Sequence, residues 1–220
     1  MKLKRLVGAL VPERIPWFAA DMYGQIAATT FTSYYQRVSS EIVAEVNCGR
    51  ILDIGTGPGY LPIEIARKTP AITIDGIDLS KKMTQMATRN AEEAGVSARV
   101  HFEVGNANGL RFDDNSYDMV ISTGAFHAWK KPVRVLNECW RVLKPGGEAW
   151  IYDPAGSSSE GLRQERKLTI SELIALKWGS LTSRIAAPYT LEQAYAIVRA
   201  SKFKHYEAQL EDGLRIRLRK

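Results

Sequence analysis

Apolar runs rich in β-branched residues alternate with segments of helical spacing through the middle of the chain. The apolar runs predict strands at 50–54, 72–77, 100–104, 117–122 and 148–152. Helical spacing predicts helices at 60–68, 80–94 and 132–143. Because the connections between these elements are short, we predict βαβ units that form a doubly wound, mostly parallel sheet.

The last thirty residues follow a different pattern. Thr190 is a suitable N-cap for a helix that ends at Ala200. Two further strands are predicted at 203–210 and 214–218, and the Asp-Gly pair at 212–213 between them is typical of a hairpin. The α/β sheet is therefore predicted to have seven strands, with the last one antiparallel to its predecessor.

Two segments lie outside the alternation and are predicted to be helical additions to one domain spanning 1–220. Residues 1–48 carry many aromatic side chains and are predicted to form an N-terminal helical cap. Residues 157–190 are predicted to form a helical insert before the last helix. The run Lys144-Pro145-Gly146-Gly147 predicts a turn that ends the helix before the fifth strand.

The composition is that of an ordinary folded domain, with 45% hydrophobic and 25% charged residues among 220. The two cysteines, Cys48 and Cys139, are far apart, so the sequence supports neither a disulfide framework nor a zinc ribbon. No apolar run approaches the ~18 residues that span a bilayer, and the basic start lacks the cleavage site of a signal peptide. These features predict a cytoplasmic protein that does not enter a membrane.

The net charge of +6 raises the question of a nucleic-acid partner. The excess lies in residues 129–220, which hold 17 Lys and Arg against 10 Asp and Glu. Apart from the run at 215–220 these charges are scattered, which is typical of a solvated surface. The pattern argues against nucleic acid as a partner.

A glycine-rich loop, Gly55-Thr56-Gly57-Pro58-Gly59, directly follows the first predicted strand and opens a helix. Doubly wound sheets bind nucleotide-like ligands at this position, although G-x-G-x-G is not the spacing of the dinucleotide motif. Asp78 ends the second strand, where a carboxylate can accept both hydroxyls of a ribose. Alternatively, Asp78 caps the helix that begins at Ser80.

Four ordered motifs resemble the class I S-adenosylmethionine-dependent methyltransferases. They are Ile51-Leu52-Asp53-Ile54-Gly55-Thr56-Gly57-Pro58-Gly59, Gly76-Ile77-Asp78-Leu79-Ser80, Tyr117-Asp118-Met119-Val120 and Val142-Leu143-Lys144-Pro145-Gly146-Gly147. The resemblance covers residues 50–153 and agrees with the reversed hairpin at the end of the chain. It implies S-adenosyl-L-methionine as cofactor and S-adenosyl-L-homocysteine as product.

The resemblance also implies roles for individual residues of the glycine loop and the second strand. Gly55, Gly57 and Gly59 would border the cofactor, Asp78 would hold its ribose and Leu79 would lie against its adenine. Asp53 would orient the loop, either in direct contact with the cofactor or through turn and capping bonds.

The loops after the third and fourth strands complete the implied cofactor site. In Gly105-Asn106-Ala107 the family often has Asp at the middle position, which accepts a hydrogen bond from the adenine amino group. The carbonyl of Asn106 can accept the same bond. After the fourth strand, Ser122 and Thr123 would face the sulfonium end of the cofactor.

The acceptor side is predicted from Phe126-His127-Ala128-Trp129, which resembles the His-His-Trp stretch of many small-molecule methyltransferases. His127 is the candidate general base for a hydroxyl or amine nucleophile, or else it holds the loop in place. Asp153 either binds a substrate amine or serves the turn after the fifth strand.

Aromatic residues near the start of the chain offer a cover for the cofactor cleft. Tyr23 and Tyr34 are predicted to close over the cofactor and exclude water, or else to belong to the core. No metal site is predicted, because the three histidines lack ligand spacing. The apolar segment from Leu168 to Trp178 is compatible with a homodimer or with cavity lining.

These observations predict an enzyme that moves a methyl group to an O, N or C nucleophile of a small molecule. One alternative is methylation of RNA or protein, which the basic last strand would favour. A second alternative is a non-catalytic protein that binds the cofactor without turning it over.

Overall fold

A single seven-stranded sheet organises the protein in this computed structural model, which describes residue 24 and residues 31–153, 189–210 and 213–220. Its strands run in the order β3-β2-β1-β4-β5-β7-β6. They are β1 (Gly49–Ile54), β2 (Ile72–Asp78), β3 (Val100–Val104), β4 (Tyr117–Thr123), β5 (Leu143–Asp153), β6 (His205–Leu210) and β7 (Leu214–Arg219).

Five α-helices are described, and a short 3₁₀ turn at Phe126–Ala128 follows β4. The helices are α1 (Thr32–Glu45), α2 (Tyr60–Lys68), α3 (Lys81–Glu93), α4 (Pro132–Val142) and α5 (Leu191–Arg199). One buried cluster joins one face of the sheet to α4 and α5, and a second joins the other face to α1, α2 and α3. The doubly wound α/β prediction is therefore confirmed.

Strand directions follow the predicted pattern. β1 to β5 pair in parallel, and β7 pairs antiparallel with both β5 and β6. The strand order reverses between β1 and β4, which is the switch point where open α/β sheets bind ligands beyond the carboxyl ends of their strands. The carboxyl ends of β1 to β5 and the start of β7 therefore share one edge of the sheet.

The run from Lys144 to Gly147 differs from the prediction, because β5 begins at Leu143 rather than at 148. Tyr117 pairs with Leu143, and the next pair on β4 is Met119 with Glu148, so the register jumps across a bulge. Gly146 has a φ of 80° there, a conformation that glycine adopts at little cost. The Pro-Gly-Gly signal thus produces an excursion within the strand instead of a turn before it.

The helical additions are described only in part. α1 lies within the predicted cap at 1–48, where it packs mainly on α2, and residues 1–23 and 25–30 of the cap lie outside the described residues. The predicted insert at 157–190, including the segment from Leu168 to Trp178, lies outside them except for Tyr189 and Thr190. Among the described helices, none combines the length and the apolar character that crossing a membrane demands.

The start of α5 carries a complete capping box. Thr190 accepts a hydrogen bond from the Gln193 backbone N–H at 3.2 Å, and the Gln193 side chain accepts one from the Thr190 backbone N–H at 3.0 Å. We expect Thr190→Ala to lower the free energy of unfolding by about 1 kcal/mol, measured by urea denaturation. Ser80→Ala is the matched control at the N-cap of α3, where no side-chain cap bond forms, and an equal loss there would contradict the prediction.

Candidate active site at the carboxyl edge of the sheet

The glycine loop between β1 and α2 depends on backbone conformations that favour glycine. Gly55, Gly57 and Gly59 have φ angles of 77°, 52° and 79°. The backbone N–H groups of Gly55 and Thr56 both donate to the carbonyl of Ile77, at 2.8 and 3.0 Å. These bonds anchor the loop to β2, so its position relative to that strand is fixed.

The three loop glycines face different surroundings. A Cβ on Gly55 would lie 2.6 Å from the Cβ of Ala125, and one on Gly59 would lie 2.7 Å from the Phe102 ring. A Cβ on Gly57 would meet no atom of the described residues within 4 Å. Gly55 and Gly59 therefore allow close packing, whereas Gly57, although itself buried, has space beside it that no described atom fills and in which a ligand can contact the backbone.

Asp78 ties the glycine loop to the next helix. One carboxylate oxygen accepts a hydrogen bond from the Gly57 backbone N–H at 3.0 Å, and the other accepts one from the Ser80 N–H at 2.8 Å. The turn-bonding alternative is thus present in the structure. Each carboxylate oxygen has a second lone pair, so these bonds leave acceptor capacity for ribose hydroxyls. Leu79, beside it, is half-buried at the end of β2.

Asp53 lies beneath the loop at the end of β1 and is 1% exposed. Its Oδ1 has no hydrogen-bond partner among the described residues. Burial raises the pKa of Asp53 to about 7, and the nearby Asp78 carboxylate adds to this rise, while the Thr56 side chain opposes it. A buried carboxylate oxygen without a partner is costly, which favours a donor from outside the chain at this position.

Asn106 and Ala107 follow β3 at the same edge. The Asn106 Oδ1 accepts hydrogen bonds from the backbone N–H and the side-chain amide of Asn108, at 2.9 and 3.0 Å. The Asn106 carbonyl oxygen, predicted to contact adenine, therefore already stabilises its own turn, and the residue is exposed. Ala107 packs against the core as a half-buried residue.

Ser122 and Thr123 differ in accessibility at the end of β4. The Ser122 side chain is buried, and its hydroxyl donates to the carbonyl of Ile54 at 2.7 Å. This bond ties β4 to β1 at the switch point, which favours a structural role for Ser122. Thr123 is half-buried, and Gly124 after it has open space on its Cβ side.

His127 lies in the 3₁₀ turn after β4, directly opposite the end of β5. Its ring Nδ1 is 2.9 Å from Asp153 Oδ1, and its backbone N–H donates to Asp153 Oδ2 at 3.0 Å. Trp129, two residues on, packs edge-on against Phe126 with ring centres 5.2 Å apart. Sequence spacing alone did not reveal the pairing of His127 with Asp153.

Two tyrosines lie near the His127–Asp153 pair. Tyr34 on α1 is half-buried, and burial raises its pKa to about 12; Tyr189 also has a raised pKa, mainly through burial. The charge of Asp153 contributes to both shifts, which places both phenols within its electrostatic range. Tyr189 is a site residue that sequence reasoning missed, while Tyr23 lies outside the described residues.

A polar network attaches α1 to this edge. Glu41 forms an ion pair with Arg215 of β7 at 2.9 Å and accepts a hydrogen bond from the Tyr152 hydroxyl at 3.2 Å. The Arg215 guanidinium also lies 5.2 Å from the centre of the Tyr152 ring. These contacts hold the helix that carries Tyr34 beside Asp153. Within the described part of the chain, no three His, Cys, Asp or Glu residues converge as metal ligands would.

Comparison with known families supplies the identification. The family model described as a methyltransferase domain matches residues 51–147, from β1 into the bulge of β5. This segment contains the glycine loop, Asp78, Asn106 and His127. Residues 51–147 are therefore similar to the methyltransferase domain of this family.

Solved structures and a curated relative agree with this methyltransferase domain. A Methanococcus maripaludis protein described as an S-adenosyl-L-methionine-dependent methyltransferase has a TM-score of 0.75 and 23% identity, with 93% of each chain covered. Phosphoethanolamine N-methyltransferase 2 of Haemonchus contortus, solved with S-adenosyl-L-methionine, has a TM-score of 0.60 and 25% identity, covering 79% of this chain and 37% of that one.

The curated relative is the demethylmenaquinone methyltransferase of Thermotoga maritima. It is 32% identical over 133 residues, which are 60% of this chain and 56% of that protein. The chain thus spans little more than half of the length of this relative. The similarity identifies the domain, and the acceptor has to be inferred from the site.

The described residues of the methyltransferase domain fit S-adenosylmethionine. The open side of Gly57 leaves room for a ligand against the loop, and the unpartnered Oδ1 of Asp53 can accept from a cationic or hydroxylic donor. Asp78 retains acceptor capacity for ribose hydroxyls. When bound, the cofactor supplies an electrophilic methyl group on a sulfonium.

The raised pKa of Asp53 predicts a specific pH dependence of stability. In the unfolded chain Asp53 loses its proton near pH 4, whereas in the folded protein it keeps the proton up to about pH 7. The unfolded state therefore binds fewer protons over this interval, and the free energy of unfolding falls as pH rises through it. We expect Asp53→Asn to remove roughly 2–3 kcal/mol of this decline, measured by urea denaturation at pH 5 and pH 8 without cofactor.

Asp113→Asn provides the comparison, because Asp113 is exposed in the loop before β4. This variant should keep the decline seen in the wild type. If Asp53→Asn kept it as well, the buried carboxyl would not be its source.

Proposed function

We propose that the protein transfers the methyl group of S-adenosyl-L-methionine to a small molecule and releases S-adenosyl-L-homocysteine. The observation that carries the proposal is the hydrogen bond from the Gly57 N–H to the Asp78 carboxylate. This bond joins the glycine loop, which has unfilled space beside Gly57, to the carboxyl end of β2. Both lie at the switch point of the sheet, within the residues that match a methyltransferase domain. Asp53, Gly55, Gly57 and Asp78 hold the cofactor in this proposal, with Leu79 and Ala107 at its adenine.

The acceptor is proposed to be a small molecule with an aromatic or other planar part. Tyr34 and Tyr189 are half-buried and lie within electrostatic range of Asp153, and Tyr189 packs on the buried Phe126 ring with the ring centres 4.8 Å apart. The name of the Thermotoga maritima relative, a demethylmenaquinone methyltransferase, is consistent with an acceptor that contains a ring system.

The basic last strand gives little support to methylation of RNA. Arg215 pairs with Glu41, and Arg217 lies 3.9 Å from the centre of the Trp150 ring and 3.8 Å from a Glu207 oxygen. Both guanidinium groups are thus used within the fold, whereas a nucleic-acid track needs cations that remain available to phosphates. We therefore keep a small-molecule acceptor as the proposal.

A cytoplasmic location is part of the same proposal. Both cysteines are free: Cys48 is exposed, and Cys139 is buried with a pKa that burial raises to about 12. Free thiols are typical of a reducing compartment.

The deciding experiment measures transfer of a labelled methyl group from S-adenosyl-L-methionine into an extract of the source cells, followed by separation of low-mass, protein and RNA fractions. We expect label in the low-mass fraction. Label in material that nuclease or protease removes would replace the small-molecule acceptor by RNA or protein. Binding of S-adenosyl-L-homocysteine without any incorporation would favour the non-catalytic alternative.

A further inference from the structure

The carboxylate of Asp153 is buried against His127 and contacts it through both oxygens. Its side chain is 0% exposed, while the His127 side chain is 21% exposed. One Asp153 oxygen faces the ring Nδ1 and the other accepts from the His127 backbone N–H. Because the Asp153 side chain is fully buried behind His127, an ammonium group of a substrate cannot reach it directly, so the amine-binding role considered for Asp153 is not supported.

This two-point contact determines where His127 carries its proton. An ionised carboxylate only accepts hydrogen bonds, so the neutral imidazole places its N–H on Nδ1. The lone pair is then on Nε2, which makes no hydrogen bond to any described residue. Burial lowers the pKa of His127, but the hydrogen bond and charge of Asp153 outweigh this effect and raise it overall.

The other ionisable groups around Asp153 do not replace His127 as a proton acceptor. Tyr34 and Tyr189 have raised pKa values and remain protonated near neutral pH. Glu41 is paired with Arg215. Arg37, which lies 5.8 Å from the Tyr34 ring, is cationic and cannot accept a proton.

We propose that Asp153 is a positioning residue that presents the Nε2 of His127 as general base to an aromatic hydroxyl of the acceptor. This inference rests on the proposed methyltransferase function and extends it by naming the class of acceptor. Two half-buried tyrosines, Tyr34 and Tyr189, lie within electrostatic range of Asp153, and no unpaired acidic side chain among the described residues faces the pair to hold a cationic amine. Phenol and hydroquinone acceptors satisfy both conditions.

The proton transfer that this geometry provides is simple. The acceptor O–H bond breaks and its proton moves to Nε2 of His127. The electron pair left on the acceptor, at the oxygen or a conjugated ring carbon, forms the bond to the methyl carbon, while the pair of the carbon–sulfur bond remains on sulfur. Methylation at a ring carbon releases the proton of that carbon to solvent, which also takes the proton from the imidazolium.

The variant Asp153→Asn distinguishes a role of Asp153 in positioning His127 from a purely structural role. The Asn side chain has only one oxygen. Because the backbone N–H of His127 needs an acceptor, this oxygen accepts from it, and the amide NH₂ is then left to face Nδ1. His127 then carries its proton on Nε2 and cannot act as a base. We expect kcat to fall by a factor of about 100 or more, with little change in KM or in affinity for S-adenosyl-L-homocysteine. Asp153→Glu should recover part of the rate, and Glu148→Gln on the same strand is the control.

Two matched probes, 1-naphthol and 1-naphthylmethylamine, test the acceptor class. Methylation of 1-naphthol in preference to the amine supports the proposal; preference for the amine, or no reaction with either, overturns it. For 1-naphthol, kcat/KM of the wild type should rise with pH through the pKa of His127. Full activity of Asp153→Asn would overturn the positioning role.

Imidazole ¹⁵N resonances test the tautomer without any acceptor. The proton of His127 should be on Nδ1 in the wild type and on Nε2 in Asp153→Asn. A wild-type proton on Nε2 would overturn the inference. Lack of S-adenosyl-L-homocysteine binding by the wild type would instead refute the proposed function, so the two failures can be distinguished.

Discussion

Replacing Asp78 with Asn is expected to weaken the binding of S-adenosyl-L-homocysteine by about 100-fold, or roughly 2.7 kcal/mol. The amide keeps one acceptor oxygen in place of two and turns its NH₂ toward either Gly57 N–H or Ser80 N–H, which both donate to Asp78 in the wild type. It also removes the negative charge that strengthens a bond from ribose hydroxyls. Isothermal titration calorimetry measures the affinity directly.

The control for Asp78 is on the same strand. Asp75 accepts hydrogen bonds from Arg50 and from the Tyr117 hydroxyl, three residues before Asp78 and away from the glycine loop. Asp75→Asn should lower stability and leave the affinity for S-adenosyl-L-homocysteine unchanged. If Asp78→Asn bound the ligand as tightly as Asp75→Asn did, Asp78 would serve only as the link between loop and helix.

The cofactor half of the site was predictable from the sequence because its determinants are local. β1, the glycine loop and α2 follow one another within twenty residues, and each has its own signal: an apolar run, glycines and helical spacing. Placing Asp78 beside the glycine loop required one further inference, namely that the carboxyl ends of parallel strands lie at the same edge of the sheet. The structure adds that Gly57 has open space on its Cβ side while Gly55 and Gly59 are packed.

The acceptor half could not be predicted to the same depth, because its contacts join distant parts of the chain. His127 and Asp153 are 26 residues apart, and Arg215 and Glu41 are 174 apart. From the sequence, His127 and Asp153 each permitted two interpretations. Asp153, for example, could be a ligand of the substrate or a residue of the turn after β5. Only the pairing of β4 with β5, which brings the ends of both strands together, decides that Asp153 contacts His127.

Replacing Gly57 with Val is expected to abolish measurable binding of S-adenosyl-L-homocysteine, a loss of more than about 100-fold. At a φ of 52° a side chain costs about 1–2 kcal/mol of backbone strain. The new side chain would occupy the open space beside the loop, where the cofactor is proposed to lie. Calorimetry for affinity and urea denaturation for stability separate the two effects.

Gly95 offers a control for Gly57, since it shares the positive φ and the unfilled Cβ side at a distance from the proposed site, although Gly95 is exposed and Gly57 is buried. It follows α3 with a φ of 70°, and a Cβ on it would also meet no atom within 4 Å. Gly95→Val should therefore lose a similar free energy of unfolding and keep the wild-type affinity for S-adenosyl-L-homocysteine. Equal affinities in the two variants would mean that the cofactor does not use the space beside Gly57. A loss confined to Gly57→Val would mean that the loop backbone contacts the cofactor.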